Sequence, residues 1–293
     1  MLFKTIIAIA SVNRPQILHE TVVGLQRQSA SDFEILVCIA AASDCSTETA
    51  RLPSVRVITS PRGLTRQRNC ILDAVGEETE IVVFLDDDVE LDPLYLENSI
   101  RFLASHADVT AFSGNVIADG STAEEISRDA AKTLLDNSPA TEDLVMDSIG
   151  LYGCNMVVRA AMARRVRFDE RLHLYGLFED VDFGERARAH GRIVWVLSCR
   201  LVHLAAKSGR ISPRRMGYSQ ITNPLYLLRK RSANRGYLIK LLRNVILGNL
   251  VGLLVTHRGK SRLLRLGQLR GNIEAFVDFV RYGADPERIS RIT

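Results

Sequence analysis

The run Ile81-Val82-Val83-Phe84-Leu85 passes without a break into Asp86-Asp87-Asp88-Val89, and no other stretch constrains this chain as tightly. Five apolar residues, rich in β-branched and aromatic side chains, describe a strand buried on both faces in a parallel sheet. In open α/β sheets, ligands gather just past the carboxyl ends of such strands. Three consecutive carboxylates at that point repel one another unless a cation or a hydrogen-bond network neutralises them. Oxygen ligands of this kind suit Mg2+ or Mn2+, and either ion suits a phosphate-bearing substrate. The same residues also read as an acidic loop leading into a helix near Pro93, with Asp92 as N-cap. Taken alone, the triplet fits both readings.

The neighbouring sequence alternates strand and helix patterns. Residues 5–10 predict a first strand, broken by Asn13-Arg14-Pro15, which opens a helix carrying Ile17, Leu18, Val22, Val23 and Leu25. Residues 33–39 predict a second buried strand, 55–58 a short third, and 63–72 a loop entering a helix. Further on, 153–158 read as a strand, 160–165 as a short helix, and 181–190 as a helix ending at Gly191. Residues 193–197 and 199–203 read as two late strands, and the polar, acidic stretch 121–148 as a helix with a mobile loop. Alternating elements of this kind predict βαβ units and an α/β class.

At 293 residues and 46% hydrophobic content, the chain can bury a large core, so one large domain with an appendage is expected. Only a short apolar run follows Lys4, so no signal peptide is expected. The five cysteines (Cys38, Cys45, Cys70, Cys154, Cys199) are scattered without a CxxC pair. They indicate neither a disulfide framework nor a zinc site, and they suit a reducing cytosol.

A net charge of +4 conceals a strong asymmetry: no Asp or Glu occurs between Glu185 and Glu274, while Arg and Lys recur throughout. Beyond Pro213 the pattern is helical and rich in Leu, Arg and Lys. Its longest apolar run, 245–255, is interrupted by Asn249 and falls short of the about 20 residues that span a bilayer. Arg235, Lys240, Arg243, Arg262, Arg265 and Arg270 are interleaved with Leu, Ile and Val. Basic amphipathic helices of this kind bind anionic membrane surfaces. A solvated basic face on helices packed against the main domain is the other reading. No recognised reader motif accompanies the charge, so nucleic acid is not an expected partner.

A second acidic segment is Phe168-Asp169-Glu170, followed by Glu179-Asp180-Val181-Asp182 at the start of a helix. The helix dipole favours ionised acids there, and a carboxylate so held can serve as a general base. Helix capping by Asp180 or Asp182 explains the same residues.

In order and spacing, these segments resemble the family-2 glycosyltransferases over about residues 4–210. Ala10-Ser11-Val12-Asn13-Arg14-Pro15 is similar to that family's opening strand end, and Gly63-Leu64-Thr65-Arg66-Gln67-Arg68-Asn69 to its next loop. Phe84-Leu85-Asp86-Asp87-Asp88 matches its F-L-D-x-D motif. Gly153-Cys154-Asn155, Phe168-Asp169-Glu170 and Glu179-Asp180-Val181-Asp182 match its acceptor-side block.

The resemblance implies a GT-A nucleotide-sugar-binding fold over residues 1–212, with a mostly parallel central sheet flanked by helices. Its nucleotide-binding half would cover about 1–92 and its acceptor-binding half about 93–212, with 213–293 as a basic helical extension. The implied activity is an inverting hexosyl- or deoxyhexosyltransferase of polysaccharide biosynthesis. It would move sugar from a nucleotide-diphosphate sugar to a glycan or lipid-linked acceptor, as a cytoplasmic protein peripheral to the inner membrane. By position, Asp180 is implied as the base, with Glu179, Gly153 and Asn155 on the acceptor side. Ser11, Asn13, Arg14, Asp44, Arg68, Asp86 and Asp87 are implied on the nucleotide-sugar side, and Asp88 and His203 as ligands of Mg2+ or Mn2+.

One segment departs from the family pattern. The second strand usually enters an acidic turn that reads the nucleobase, whereas Ile39-Ala40-Ala41-Ala42-Ser43-Asp44 keeps only its last acid. Base recognition then falls to Asp44, to backbone near Ser11 and Val12, or elsewhere. A nucleotidyltransferase and a non-catalytic nucleotide-sugar-binding membrane scaffold are the alternative functions. Glu179-Asp180, and the lack of a glycine-rich, lysine-bearing phosphate loop, count against the first; intact Asp88 and Asp180 count against the second.

Overall fold

Parallel pairing begins among the apolar strands near the N-terminus. The computed structural model describes residues 3–121, 124–139, 145–147, 150–209, 211–255 and 260–292; for 147, 253–255, 260 and 261 it describes the backbone alone. The chain divides into two compact units, the first comprising Met1–Arg62, Arg66–Phe168 and Ala187–Gly209, and the second Gly63–Thr65, Asp169–Arg186 and Arg210–Thr293.

The opening elements are β1 (Thr5–Ser11), α1 (Pro15–Leu25), β2 (Phe33–Ile39), α2 (Thr47–Ala50), β3 (Val55–Thr59), α3 (Leu64–Ala74) and β4 (Ile81–Leu85). Then come β5 (Val89–Leu91), α4 (Tyr95–Ser105), β6 (Val109–Asp119), α5 (Arg128–Asn137), β7 (Val145–Asp147), β8 (Asn155–Arg159) and α6 (Ala160–Val166). The remaining elements are α7 (Glu179–Ala187), β9 (Arg192–His203), α8 (Pro213–Lys230), α9 (Arg235–Val255) and α10 (Lys260–Tyr282).

In the first unit the sheet order is β3-β2-β1-β4-β8-β6-β9-β5, with β7 on β9. The β3-β2-β1-β4 half is parallel throughout. Beyond it β8 runs antiparallel to β4 and β6, β6 and β9 are parallel, and β5 and β7 run antiparallel to β9. Ile7, Ile9, Val37 and Val83 from the strands share one buried cluster with Leu18 and Val22 of α1 and with Tyr95 and Phe102 of α4. That is the layered burial expected of α/β chains.

Three local features differ from the sequence expectation. The two late strands are one, because β9 continues across Ser198. Its register against β6 jumps there, from Gly114 opposite Val196 to Asn115 opposite Arg200. A β-bulge bends the strand without ending it, and Gly114 permits it: a Cβ there would lie 2.3 Å from the Cys199 carbonyl oxygen. The polar stretch 121–148 carries β7 as well as α5; its residues 122–123, 140–144 and 148 lie outside those described. The helix after Pro93 starts at Tyr95, and Asp92 closes the preceding turn by accepting the Leu94 N–H at 2.9 Å. Asp92, not the triplet, therefore does the turn-closing work in the acidic run.

The second unit is built around α8, α9 and α10. Ser212 caps α8 with its hydroxyl on the Arg215 N–H, ahead of Pro213, which suits the first helical position. Tyr218 and Ile221 of α8 share a buried cluster with Ala275 of α10. Glycines let these two backbones touch: a Cβ at Gly217 would stand 2.0 Å from the Gln268 carbonyl oxygen, and one at Gly271 the same distance from that of Arg214. Asn249, which broke the apolar run of α9, is buried and donates to Asn272 at 2.9 Å, while Asn272 donates to the Gly217 carbonyl at 2.7 Å. No helix among the described residues is long and apolar enough to cross a membrane. Gly271→Ala forces the α8 and α10 backbones apart and is expected to cost on the order of 1–3 kcal/mol, read as a lower denaturation midpoint. An unchanged midpoint would refute this close helix contact.

Candidate functional site

Strand register assembles the acidic centre. Asp86 follows the last residue of β4, and Asp88 immediately precedes β5. His203 ends β9, opposite Val89 of β5 on one side and Asp119 of β6 on the other. Asp86, Asp88 and His203 each offer a ligand atom, and these lie within 4.8 Å of one another. The imidazole Nε2 is 3.5 Å from Asp88 and 3.9 Å from Asp86. Its Nδ1 is 2.9 Å from Asp119, which also accepts from the Tyr152 hydroxyl and from the Ser121 N–H. A carboxylate on one ring nitrogen fixes the tautomer and aims the other, the usual outer support of a metal-ligating histidine. Two carboxylate oxygens and an imidazole nitrogen are a donor set that fits Mn2+ well and Mg2+ acceptably.

The electrostatics follow from enclosure and charge. Burial pulls the His203 imidazole down, but Asp119 and Asp88 outweigh it and push it up to about 10. Burial pushes the Asp119 and Asp88 carboxyls up, yet both end below their ordinary value through their bonds to His203. Asp86, with 27% of its side chain exposed, is raised by loss of water around it, although Arg68 opposes the shift. His203 and Arg14 are therefore the positive charges that favour an ionised Asp88.

The middle carboxylate has different partners. Asp87 is buried and accepts from the Ser11 hydroxyl and from Arg14 Nη1 at 2.8 Å. Arg14 also reaches Asp88 at 3.2 Å, and its Nε donates to the Ser208 carbonyl at 2.7 Å. The Ala206 N–H donates to Asp88 at 2.8 Å. Arg14 thereby ties the end of β1 and the segment after β9 to the acidic run.

Arg68 is buried, with Nη2 3.3 Å from Asp86 and 2.7 Å from the Gly153 carbonyl. Its guanidinium carbon lies 5.7 Å from the centre of the Phe84 ring and 5.4 Å from that of Phe168. Asp44 is also buried, accepting the N–H groups of Asn13, Ala40 and Ala41. It closes the turn after β2, so both oxygens implied for the nucleobase are engaged by backbone. Asn155 is fully buried, and its oxygen accepts from Tyr95 and from the Gly114 N–H. Its position inside the sheet makes it a brace between α4, β6 and β8.

Glu179 and Asp180 belong to the second unit. They open α7 after a loop in which Leu174, Gly176 and Phe178 all take positive φ, at 60°, 64° and 70°. Such backbone is costly for Leu and Phe and persists only where surroundings enforce it. The Glu179 N–H donates to the Gly176 carbonyl at 2.8 Å, and Asp180 accepts from the Val181 N–H.

Sequence reasoning missed Asp119, Tyr152 and the tie of Arg14 to two acids at once. Asp119 lies 84 residues from His203, and only strand register brings them together.

The sequence pattern of glycosyl transferase family 2 matches residues 6–167. No match was found among curated proteins. Among solved structures, a mannosyltransferase (PcManGT) from Pyrobaculum calidifontis, in complex with GDP-Man and Mn2+, is similar with a TM-score of 0.61 and 13% identity, over 94% of this chain and 87% of that one. S. aureus TarS 1–349, in complex with UDP-GlcNAc, is similar with a TM-score of 0.57 and 18% identity, over 99% and 84%. GalNAc-T7 with UDP, GalNAc and Mn2+ gives 0.56 and 12%, over 97% and 59%. At these identities the likeness is one of fold, and the fold is GT-A.

Asp119→Ala removes the acceptor that aims the His203 ring. Mn2+ affinity measured by calorimetry is expected to fall about 10- to 100-fold; affinity equal to the unaltered protein's would exclude an orienting role for Asp119.

Proposed function

Because the chain belongs to glycosyl transferase family 2, we propose that it is an inverting glycosyltransferase moving a hexosyl or deoxyhexosyl group from a nucleotide-diphosphate sugar to a hydroxyl of a glycan or lipid-linked acceptor. The observation that carries this reading is the convergence of Asp86, Asp88 and His203 at the end of β4, the start of β5 and the end of β9. These three residues would hold Mg2+ or Mn2+. Such an ion, when bound, neutralises charge on the departing diphosphate.

The chain's own residues do the rest. Asp180 takes the proton of the acceptor hydroxyl as its oxygen bonds to the anomeric carbon. The bond from that carbon to the diphosphate oxygen breaks, the electron pair leaving with the nucleoside diphosphate. Attack opposite the leaving group inverts the anomeric configuration, as in inverting glycosidases. Glu179 borders the acceptor. Arg68 steadies Asp86 from a buried position, and Arg14 keeps Asp87 and Asp88 charge-balanced. The Asn13 N–H donates to Asp44 and so shapes the turn that would lie beside the nucleobase. The nucleotidyltransferase alternative is set aside by the family assignment.

The surface of the second unit supports the peripheral-membrane part of the reading. Of 18 exposed large hydrophobics among the described residues, 14 lie between Ile239 and Tyr282, so exposure is concentrated on α9 and α10. Ile239, Ile246, Leu250 and Val251 recur at helical spacing on α9, and Leu263, Leu266, Ile273, Phe276 and Val280 do so on α10. Concentrated exposed apolar side chains mark an interaction surface. Arg235, Lys240, Arg243, Arg262 and Arg270 are exposed on the same helices, and each basic residue near an anionic surface adds about 1 kcal/mol. An acidic lipid headgroup layer fits both properties, and a lipid-linked acceptor would be met at such a surface.

Titration with UDP-, GDP- and dTDP-sugars plus Mn2+ should raise thermal stability for the true donor, by about 2.7 kcal/mol at a hundredfold excess over Kd. Asp88→Ala is expected to abolish that response. Asp180→Asn should keep it while transfer drops about 100- to 10,000-fold; wild-type transfer by Asp180→Asn would exclude the base assignment. For the membrane, anionic vesicles should float the protein at low salt and progressively less at high salt. Recovery in the soluble fraction with and without vesicles would remove the membrane association.

A further inference from the structure

The C-terminal end of α8 grips the segment that carries Glu179 and Asp180. Lys230, the last residue of α8, places Nζ 2.7 Å from Asp169 and 2.7 Å from Asp182. Asp182 is buried and also accepts from Arg186 at 2.7 Å and from the Ser232 hydroxyl. Asp169 also accepts from the Tyr226 hydroxyl at 2.7 Å. One turn earlier on the same helix face, Asn223 donates to the Leu177 carbonyl at 2.8 Å. Asn223, Tyr226, Leu227 and Lys230 follow the spacing that stacks side chains on one face, and Leu227 and Tyr226 share a buried cluster with Leu172. Arg231 turns the chain through a left-handed conformation, which lets Ser232 follow Lys230 onto Asp182.

This arrangement answers a local electrostatic problem. The first turn of α7 holds three acids, Glu179, Asp180 and Asp182. The helix dipole favours negative charge there, but neighbouring carboxylates oppose one another. Lys230 and Arg186 neutralise Asp182, and Lys230 at the same time ties the Asp169 loop to α7. The loop between them contains Leu174 and Phe178 at positive φ, a backbone held only by surroundings that over-determine it. Removing the ammonium leaves two enclosed carboxylates facing each other without it, and the turn that presents Asp180 must then rearrange.

We propose that Lys230 is a positioning residue for the Glu179–Asp180 pair, acting through Asp182 and Asp169. The proposal rests on the reading of Asp180 as the base. It gives the extension a part in the reaction, since α8 lies beyond the stretch 6–167 that matches the family pattern.

The test is steady-state transfer by the full chain with Mn2+ and the donor found by thermal titration, for Lys230→Met, Lys230→Arg, Asp180→Asn and Arg288→Met. Arg288→Met breaks the ion pair to Asp278 elsewhere in the same unit and controls for lost stability. Lys230→Met is expected to lower kcat about tenfold or more through misplacement of the base. Donor KM should stay within about twofold, because ground-state binding is untouched. Lys230→Arg should restore part of kcat, and Arg288→Met should leave it near wild type. Wild-type kcat in Lys230→Met, or an equal loss in Arg288→Met, would overturn the proposal. If Lys230→Met does not fold, Tyr226→Phe and Ser232→Ala each remove one bond from the same network without stranding a charge. Reduced kcat at unchanged donor KM in both supports the proposal, and unchanged kcat in both overturns it. Activity in Asp180→Asn would defeat the base assignment itself, whereas an inactive Asp180→Asn beside a fully active Lys230→Met would defeat positioning alone.

Discussion

His203 held between Asp119 and Asp88 is the interaction on which the acidic centre depends. Carboxylates this close cannot all remain ionised in an enclosed site without a positive partner. The imidazole supplies part of it beside Arg14 and Arg68, and its two nitrogens divide the work: Nδ1 against Asp119, Nε2 toward Asp86 and Asp88. The arrangement follows from strand register alone. Because β5 and β6 flank β9, residues at the ends of three strands become neighbours. Register shifts between Gly114 and Asn115 and again between Val116 and Ala118 reset the pairing before the end of β9 is reached, and the site inherits both.

Around this centre lies a second layer of positive charge that rarely meets solvent. Arg14 reaches Asp87 and Asp88, Arg68 reaches Asp86, and each is also bonded to a backbone carbonyl. A guanidinium held by carbonyls keeps its place, and with it the carboxylate it faces. Arg14 and Arg68 are thus both engaged with the acids. The same economy governs Asp44, which holds a turn together through three backbone N–H groups.

The second unit solves a different problem, how a leucine- and arginine-rich helical segment folds with few acids. Glycine contacts bring α8 and α10 together, and buried Asn249 and Asn272 link all three helices. Glu274 and Asp278, the acids that resume late in α10, are taken up by Arg214, Arg270 and Arg288. Lys230 is given instead to Asp169 and Asp182. These acids and amides are thereby paired, while apolar and basic side chains remain on the outside of α9 and α10.

The sequence alone determined the elements whose signals are local. The apolar run of β4 with its acids, the strand-helix alternation, the Pro-led starts of α1 and α8, and the basic helical end were all legible because each depends on adjacent residues. The family's motif order carried the GT-A fold in the same way. Only the tertiary structure decided which polar groups meet. Nothing near His203 in sequence points to Asp119, nothing in Lys230 points to Asp182 48 residues earlier, and nothing around Asn155 announces that it is sealed inside the sheet. Polar partners across strands and helices are chosen by register and helix face. Those are fixed only when the whole hydrophobic core is in place, so their chemistry cannot be read one segment at a time.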